Sequence, residues 1–228
     1  MLSQLPIWIT VLFLVTVVVA LVLFYIVNGK PKKLMSGIFV IAVCQSILAY
    51  NGFYLVTDTL PPRFIFVLLP SILLFVYAFQ SKQIEWMKEN RNAKLSSFFH
   101  VIRIFVEIVL LYLFLNKAIP ELMTFEGRNF DILAGITALI IGAMYYKEKV
   151  SNKVMIAWNF IGLGLILFIM VNGILSAETP LQMFAFDQPN RALLYFPFVL
   201  LPVVLVPMVI YMHISDIINL KSKNLILN

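Results

Sequence analysis

The segment 95–116 has four residues whose side chains could do chemistry: Ser96, His100, Arg103 and Glu107 sit in an otherwise apolar stretch. At the helical rotation per residue, their directions fall within about 60° of one another, a single stripe along one face. An ionisable group at membrane depth is costly, so each needs a partner or a wet cavity, and the stripe should face the protein interior. Two readings follow. Arg103 and Glu107, at i and i+4, neutralise each other as a structural pair that ties helices together. Alternatively they line a path for a substrate or proton, with His100 as its titratable member.

Three more polar residues lie at similar depth: His213 and Asp216, three apart in the last apolar run, and Asn159 in the run before it. His100 and His213 could ligate one haem b through two imidazoles or join a metal site. The plainer reading makes them interfacial histidines hydrogen-bonded near headgroups. A catalytic zinc usually takes three protein ligands, and the chain has two histidines and no HExxH spacing. No metal and no cofactor is therefore expected, with His100 and His213 as the only weak metal candidates. Asn51 and Asn172 each precede a glycine near the outer ends of their runs. As amides that donate and accept, they suit a small neutral or polar solute, whereas Asn-Gly also suits a helix C-cap. Two loop stretches, 124–131 and 184–191, mix aromatics with charge. Their Glu126, Arg128, Asp131, Asp187 and Arg191 suit an ordered outer lid that satisfies its own charges.

Positioning these side chains requires a membrane. Of 228 residues 62% are apolar, about 141 in all, and only 12% are charged, with a mean hydropathy of +0.97. A soluble domain is about 25% charged, and a span takes about 20 apolar residues, so the apolar residues suffice for seven crossings. A soluble enzyme, a nucleic-acid-binding domain and a disordered chain are excluded. The single cysteine, Cys44, excludes an intramolecular disulfide, a Cys-rich zinc site and a CxxC redox motif. Neither a Gly-rich phosphate loop nor a GxSxG elbow occurs, and the last run has no lysine for a retinal Schiff base.

Seven apolar runs are legible: 6–28, 34–55, 64–80, 95–116, 132–146, 154–176 and 197–218. Between them lie turn residues or charge, with Ser81 to Lys94 read as a loop. The first run is too long for a signal peptide, and its lysines follow rather than precede it, so it stays as a span. Twelve Lys and Arg residues fall in the loops 1–2, 3–4 and 5–6 and the C-terminal tail. Four fall on the other side, and Arg103 lies within a span. The positive-inside rule then puts the N-terminus outside and the C-terminus in the cytoplasm, in the plasma (inner) membrane. The expected fold is an all-α integral membrane protein: one seven-transmembrane helix bundle over 1–228.

An internal repeat is also legible. A shift of 121 residues aligns Phe24-Tyr25 with Tyr145-Tyr146, Lys32 with Lys153 and Asn51-Gly52 with Asn172-Gly173. An acid-Thr pair recurs (Asp58-Thr59, Glu178-Thr179), then a Pro/Arg feature (Pro62-Arg63, Pro189-Asn190-Arg191). The pentapeptide FVLLP then returns unchanged at 66–70 and 198–202. This ordered series predicts a 3+1+3 plan: repeat A over 6–80, a linker helix over 95–116 and repeat B over 132–218, the two repeats parallel in the membrane. Pro70 and Pro202 are expected to kink the third and seventh helices. The functional expectation is a small-solute transporter with a central site between the repeats. The alternatives are an intramembrane enzyme or redox protein using His100, Glu107 and His213, and a non-catalytic membrane partner, sensor or assembly factor. The expected surroundings are the lipid bilayer and a small solute, with no nucleic acid.

Overall fold

A computed structural model describes residues 5–226, with side chains described through residue 222. Among these residues all regular structure is helical. The main helices are α1 (Ile7–Val27), α2 (Lys32–Tyr50), α3 (Ile65–Ala78), α4 (Ser81–Asn90), α5 (Ala93–Phe99), α6 (Ile102–Leu115), α7 (Asp131–Tyr146), α8 (Asn152–Leu175) and α9 (Val206–Ile226), the last entered through a π-helical turn at Leu201–Leu205.

Among the described residues, five helical segments are long and apolar enough to cross a membrane: α1, α2, α5–α6 as one unit, α8, and the π turn with α9. A sixth is added if α3 and α4, bent by 73° at their junction, count as one broken span. Helix α7, with 16 residues, is about 24 Å long. That is shorter than the roughly 30 Å hydrocarbon core.

The burial pattern has the form of a protein in lipid. On α1 the buried residues Ile9, Phe13, Val17, Ala20, Phe24 and Val27 recur every three or four positions. Val11, Val15, Val18, Val22 and Ile26 on the opposite face are fully apolar yet exposed. An apolar strip of that extent is stable against acyl chains rather than water. Helix α9 differs in being buried nearly all round, and it is the hub against which α8, α3 and α5 pack.

Local chemistry explains the joints. Helix α1 stops at Asn28, Gly29 and Lys30, the last two with positive φ (71° and 63°). A Cβ at Gly29 would lie 2.5 Å from the carbonyl oxygen of Asn90, so only glycine lets the ends of α1 and α4 meet. The stretch from Ser81, read from sequence as a loop, is helix α4 through Asn90. Six of its ten residues (Lys82, Gln83, Glu85, Met87, Lys88 and Glu89) are strong helix formers and none is Gly or Pro, and polarity alone does not break a helix. The sharp bend lies after Ala78 and not at Pro70, which sits inside α3. Pro202 lies in the π turn, and the Val203 carbonyl there accepts a 2.8 Å bond from the Ser71 hydroxyl.

Candidate functional site

The polar stripe of the α5–α6 unit is built on a break. Helices α5 and α6 meet at His100 and Val101, where amides bond three residues back: His100 to Ser97, Val101 to Phe98, Arg103 to His100. This local tightening is a 3-10 feature within the span. Arg103 follows it and is 2% exposed.

The expected Arg103–Glu107 pair does not form. Arg103 reaches across to Asp131, donating from Nε to Oδ2 at 2.6 Å and from Nη2 to Oδ1. A planar guanidinium suits this two-oxygen grip. Asp131 is the first residue of α7, where the positive end of the helix dipole favours a carboxylate. It was expected on an outer lid; it is instead 5% exposed and serves as the counter-ion of Arg103. The remaining Arg103 donors go to His213 Nε2 (3.0 Å) and the Gly162 carbonyl (3.3 Å).

That contact fixes a tautomer. The Asn159 amide nitrogen donates to the Met155 carbonyl at 2.9 Å, so its oxygen faces His213 Nδ1 at 2.8 Å and must accept. His213 therefore carries its proton on Nδ1 and accepts from Arg103 at Nε2. His100 stacks on His213, with ring centroids 3.9 Å apart and planes 18° from parallel. Both are fully buried within the bundle. Face-to-face rings do not aim nitrogens at one central atom, so the pair does not form a bis-imidazole cradle. No group of three or more His, Cys, Asp or Glu able to hold a metal occurs among the described residues.

The stack rests on a glycine. A Cβ at Gly162 would come within 2.4 Å of the His213 ring. Gly162→Ala must push that ring against His100, an overpacking that should cost about 1–3 kcal/mol. Thermal unfolding in detergent checks this, with Gly164→Ala, where a Cβ meets nothing within 4 Å, as the neutral control.

A second buried cation centre lies nearer the lysine-rich end. Arg91, between α4 and α5, has its side chain fully buried and donates from Nε to Asp216 at 2.9 Å. It also donates to Asn28 Oδ1, to Ser96 Oγ at 2.6 Å and to the Met212 carbonyl at 3.2 Å. The Ser96 hydroxyl donates onward to Asp216 at 2.5 Å. Sequence reasoning counted Arg91 as a loop charge and overlooked Asn28. The available signal was Asp216, an acid in an apolar run with no Lys or Arg three or four residues away on its own helix.

Glu107 stands at the far end of this polar chain and is 1% exposed. Its Oε1 accepts from the Asn129 amide at 2.5 Å, and Asn129 Oδ1 accepts from the Asp131 backbone N–H at 3.1 Å. Its Oε2 has no hydrogen-bond partner among the described residues. The carboxyl lines a cavity of about 70 Å³ between α3, α6, α8 and the π turn. Leu68, Ile169, Gly173 and Pro202 form its walls, and Met123 and Leu193 come in from the two loops. Asn129 and Asp131 also line it, their polar atoms engaged with Glu107 and Arg103, so the acceptor left free in an otherwise apolar chamber is Glu107 Oε2.

The remaining expected residues are dispersed. Asn51 is the exposed C-cap residue of α2 and bonds its own helix at Ile47, the geometry of the C-cap reading. Asn172 is buried inside α8 and bonds Phe168 in the same way, while its neighbour Gly173 lines the cavity. Glu126 and Asp187 are exposed. The Arg128 guanidinium sits 5.7 Å above the Phe184 ring, joining the two loops. Gln188 donates to the Ile119 carbonyl at 2.5 Å, and Asn190 to Gly173 at 3.1 Å.

Arg191 grips Glu178 through two bonds of 2.5 and 2.8 Å, which holds the Glu178 carboxyl below the ordinary carboxylate range. A depressed carboxylate stabilises the fold above its unfolded pKa, near 4.3, and loses that contribution as pH falls through the lower folded value. Both side chains are over a third exposed, so the gain should stay below about 1 kcal/mol. Glu178→Gln should remove this part of the acid-side loss in a pH series of melting temperatures, leaving neutral-pH stability nearly unchanged.

A family model described as a domain of unknown function (DUF8737) matches residues 60–221, over two thirds of the chain. No curated protein and no solved structure matches it.

Proposed function

The chain belongs to the DUF8737 family, and from that premise we propose a carrier for a small polar solute that binds in the cavity at Glu107. The observation that carries this reading is the unpartnered Oε2 of Glu107 in the chamber between α3, α6, α8 and the π turn. A buried acceptor left without a donor is costly, and a solute that donates to it relieves that cost. The volume has room for only a few non-hydrogen atoms, so the solute is a small amine, amide or alcohol.

In this reading the chain crosses the membrane seven times, N-terminus outside, in the plasma membrane. The α3–α4 pair forms one broken span, and α7 is lengthened by snorkelling of Lys147 and Lys149. Two parallel three-helix repeats flank the linker span, and the Ser71–Val203 bond supports this. Each partner follows the proline of one FVLLP copy, so equivalent positions meet at the axis between repeats. Transport is then a rocking of one repeat against the other. A second reading, an intramembrane acid–base enzyme, draws support from His100, both of whose ring nitrogens lack partners.

Reconstituted vesicles test the proposal with labelled methylamine, urea and glycerol. At least one should enter faster than into protein-free vesicles, and Glu107→Gln should cut that flux by about tenfold, roughly one lost hydrogen bond to the solute. His100→Ala should leave flux within about twofold. Flux equal to protein-free vesicles for all three solutes, or unchanged in Glu107→Gln, would overturn the proposal.

A further inference from the structure

At the lysine-rich end a groove of about 380 Å³ opens between α2, the α3–α4 bend and α9. Lys30, Lys32, Lys33 and Lys82 line it, and none of them forms an ion pair among the described residues. The first turn of α2 forms one wall, with no side-chain cap and no acid among its residues. Its backbone N–H groups add to the positive field. Trp86 of α4 and Tyr77 of α3 complete the rim, the aromatic types enriched at headgroup level.

The groove does not end at the headgroup zone. Leu34, Ala78 and Tyr211 line it and also line a second, apolar slot of about 40 Å³ that continues between α2, α3 and α9. The only polar side chain lining that slot besides Tyr211 is Ser71, whose hydroxyl is taken by the Val203 carbonyl. On the same stretches of helix, Val40 and Val43 of α2 and Leu73 and Val76 of α3 are exposed and apolar. A cationic mouth thus leads into an apolar slot between apolar helices. The 73° bend turns α4, with Lys82 and Trp86, across the mouth.

We infer that this groove is a binding site for one anionic phospholipid of the leaflet at the lysine-rich end. Its phosphate would be held by Lys32, Lys33 and Lys82, and the start of one acyl chain would lie in the slot. A free phosphate would use the lysines and leave the slot empty; a zwitterionic lipid would fill the slot and gain little from the lysines. Only an anionic amphiphile uses both. The site is separate from the Glu107 chamber, so it stands whether or not the chain is a carrier.

The test is native mass spectrometry of the full chain in neutral detergent, titrated with phosphatidylglycerol, phosphatidylcholine of the same chains, or glycerol 3-phosphate. A lysine near a lipid phosphate is worth about fivefold in affinity. Phosphatidylglycerol should therefore bind on the order of a hundredfold tighter than phosphatidylcholine, and K32Q/K33Q/K82Q should bring the two within about threefold. Glycerol 3-phosphate should bind at least tenfold more weakly than phosphatidylglycerol. Ala78→Phe, which fills the slot entrance, should weaken phosphatidylglycerol and leave glycerol 3-phosphate unchanged. K147Q/K149Q, at the same end but outside the groove, should keep the lipid preference. Equal binding of the two lipids, a preference that survives the triple variant, or an equal loss in K147Q/K149Q would overturn the site. Glycerol 3-phosphate binding as tightly as phosphatidylglycerol would reassign it to a soluble phosphate.

Discussion

Asp131→Asn should lower the stability of the folded chain by about 3 kcal/mol, because it leaves the Arg103 cation in the bundle without its carboxylate. The buried guanidinium retains only His213 Nε2 and the Gly162 carbonyl as full partners. Neither carries a negative charge, and an Asn at 131 offers one acceptor where the carboxylate offered two. For a chain of this size the loss corresponds to a fall of about 6–12 °C in melting temperature. Replacing both members, as R103M/D131L, should recover much of the loss, since an apolar pair of similar volume carries no desolvation penalty. If Glu107 were the true partner of Arg103, Glu107→Gln would be as destabilising as Asp131→Asn. The structure predicts that Glu107→Gln is the milder change by at least 1–2 kcal/mol, because its Oε2 has no partner to lose.

The second large effect is expected at Arg91. Arg91→Ala removes the donor shared by Asp216, Asn28, Ser96 and the Met212 carbonyl, and leaves the Asp216 carboxylate with only the Ser96 hydroxyl. The loss should be about 3–5 kcal/mol, the largest of any single substitution considered. Asp216→Asn should cost less, because Arg91 keeps three other acceptors. A melting series of the two variants and their double gives the coupling energy directly. Coupling near zero would mean that Arg91 reaches solvent and that the α4–α5 junction is not seated on α9.

These partners show what the linear pattern could and could not reveal. The apolar runs, the inward stripe of Ser96, His100, Arg103 and Glu107, and the burial of Asn159 and His213 follow from periodicity and the cost of buried charge. Partner choice does not. Asp131 lies 28 residues from Arg103, beyond a loop, and only the fold of that loop turns the N-terminus of α7 inward. Arg91 lies in a polar stretch that reads as aqueous, yet the close approach of Gly29 to Asn90 draws that stretch under the bundle. The on-helix spacing of Arg103 and Glu107 suggested a pair, but the positive end of α7 offers Arg103 a better-placed carboxylate. The cavity was equally illegible, since it is the space left by Gly173, Pro202 and two loop side chains that sequence order does not bring together.

The central claim is that solute meets the protein at Glu107, in a chamber reached from each side of the membrane in turn. It is tested most directly by placing a thiol there: Glu107→Cys in a Cys44→Ala background, which removes the chain's only other cysteine. The reagent is a membrane-impermeant, charged thiosulfonate applied to one face of sealed vesicles at a time. Labelling should proceed from both faces, and a transported solute should slow it from both. A thiol that reacts from neither face, or from one face only, would contradict the account.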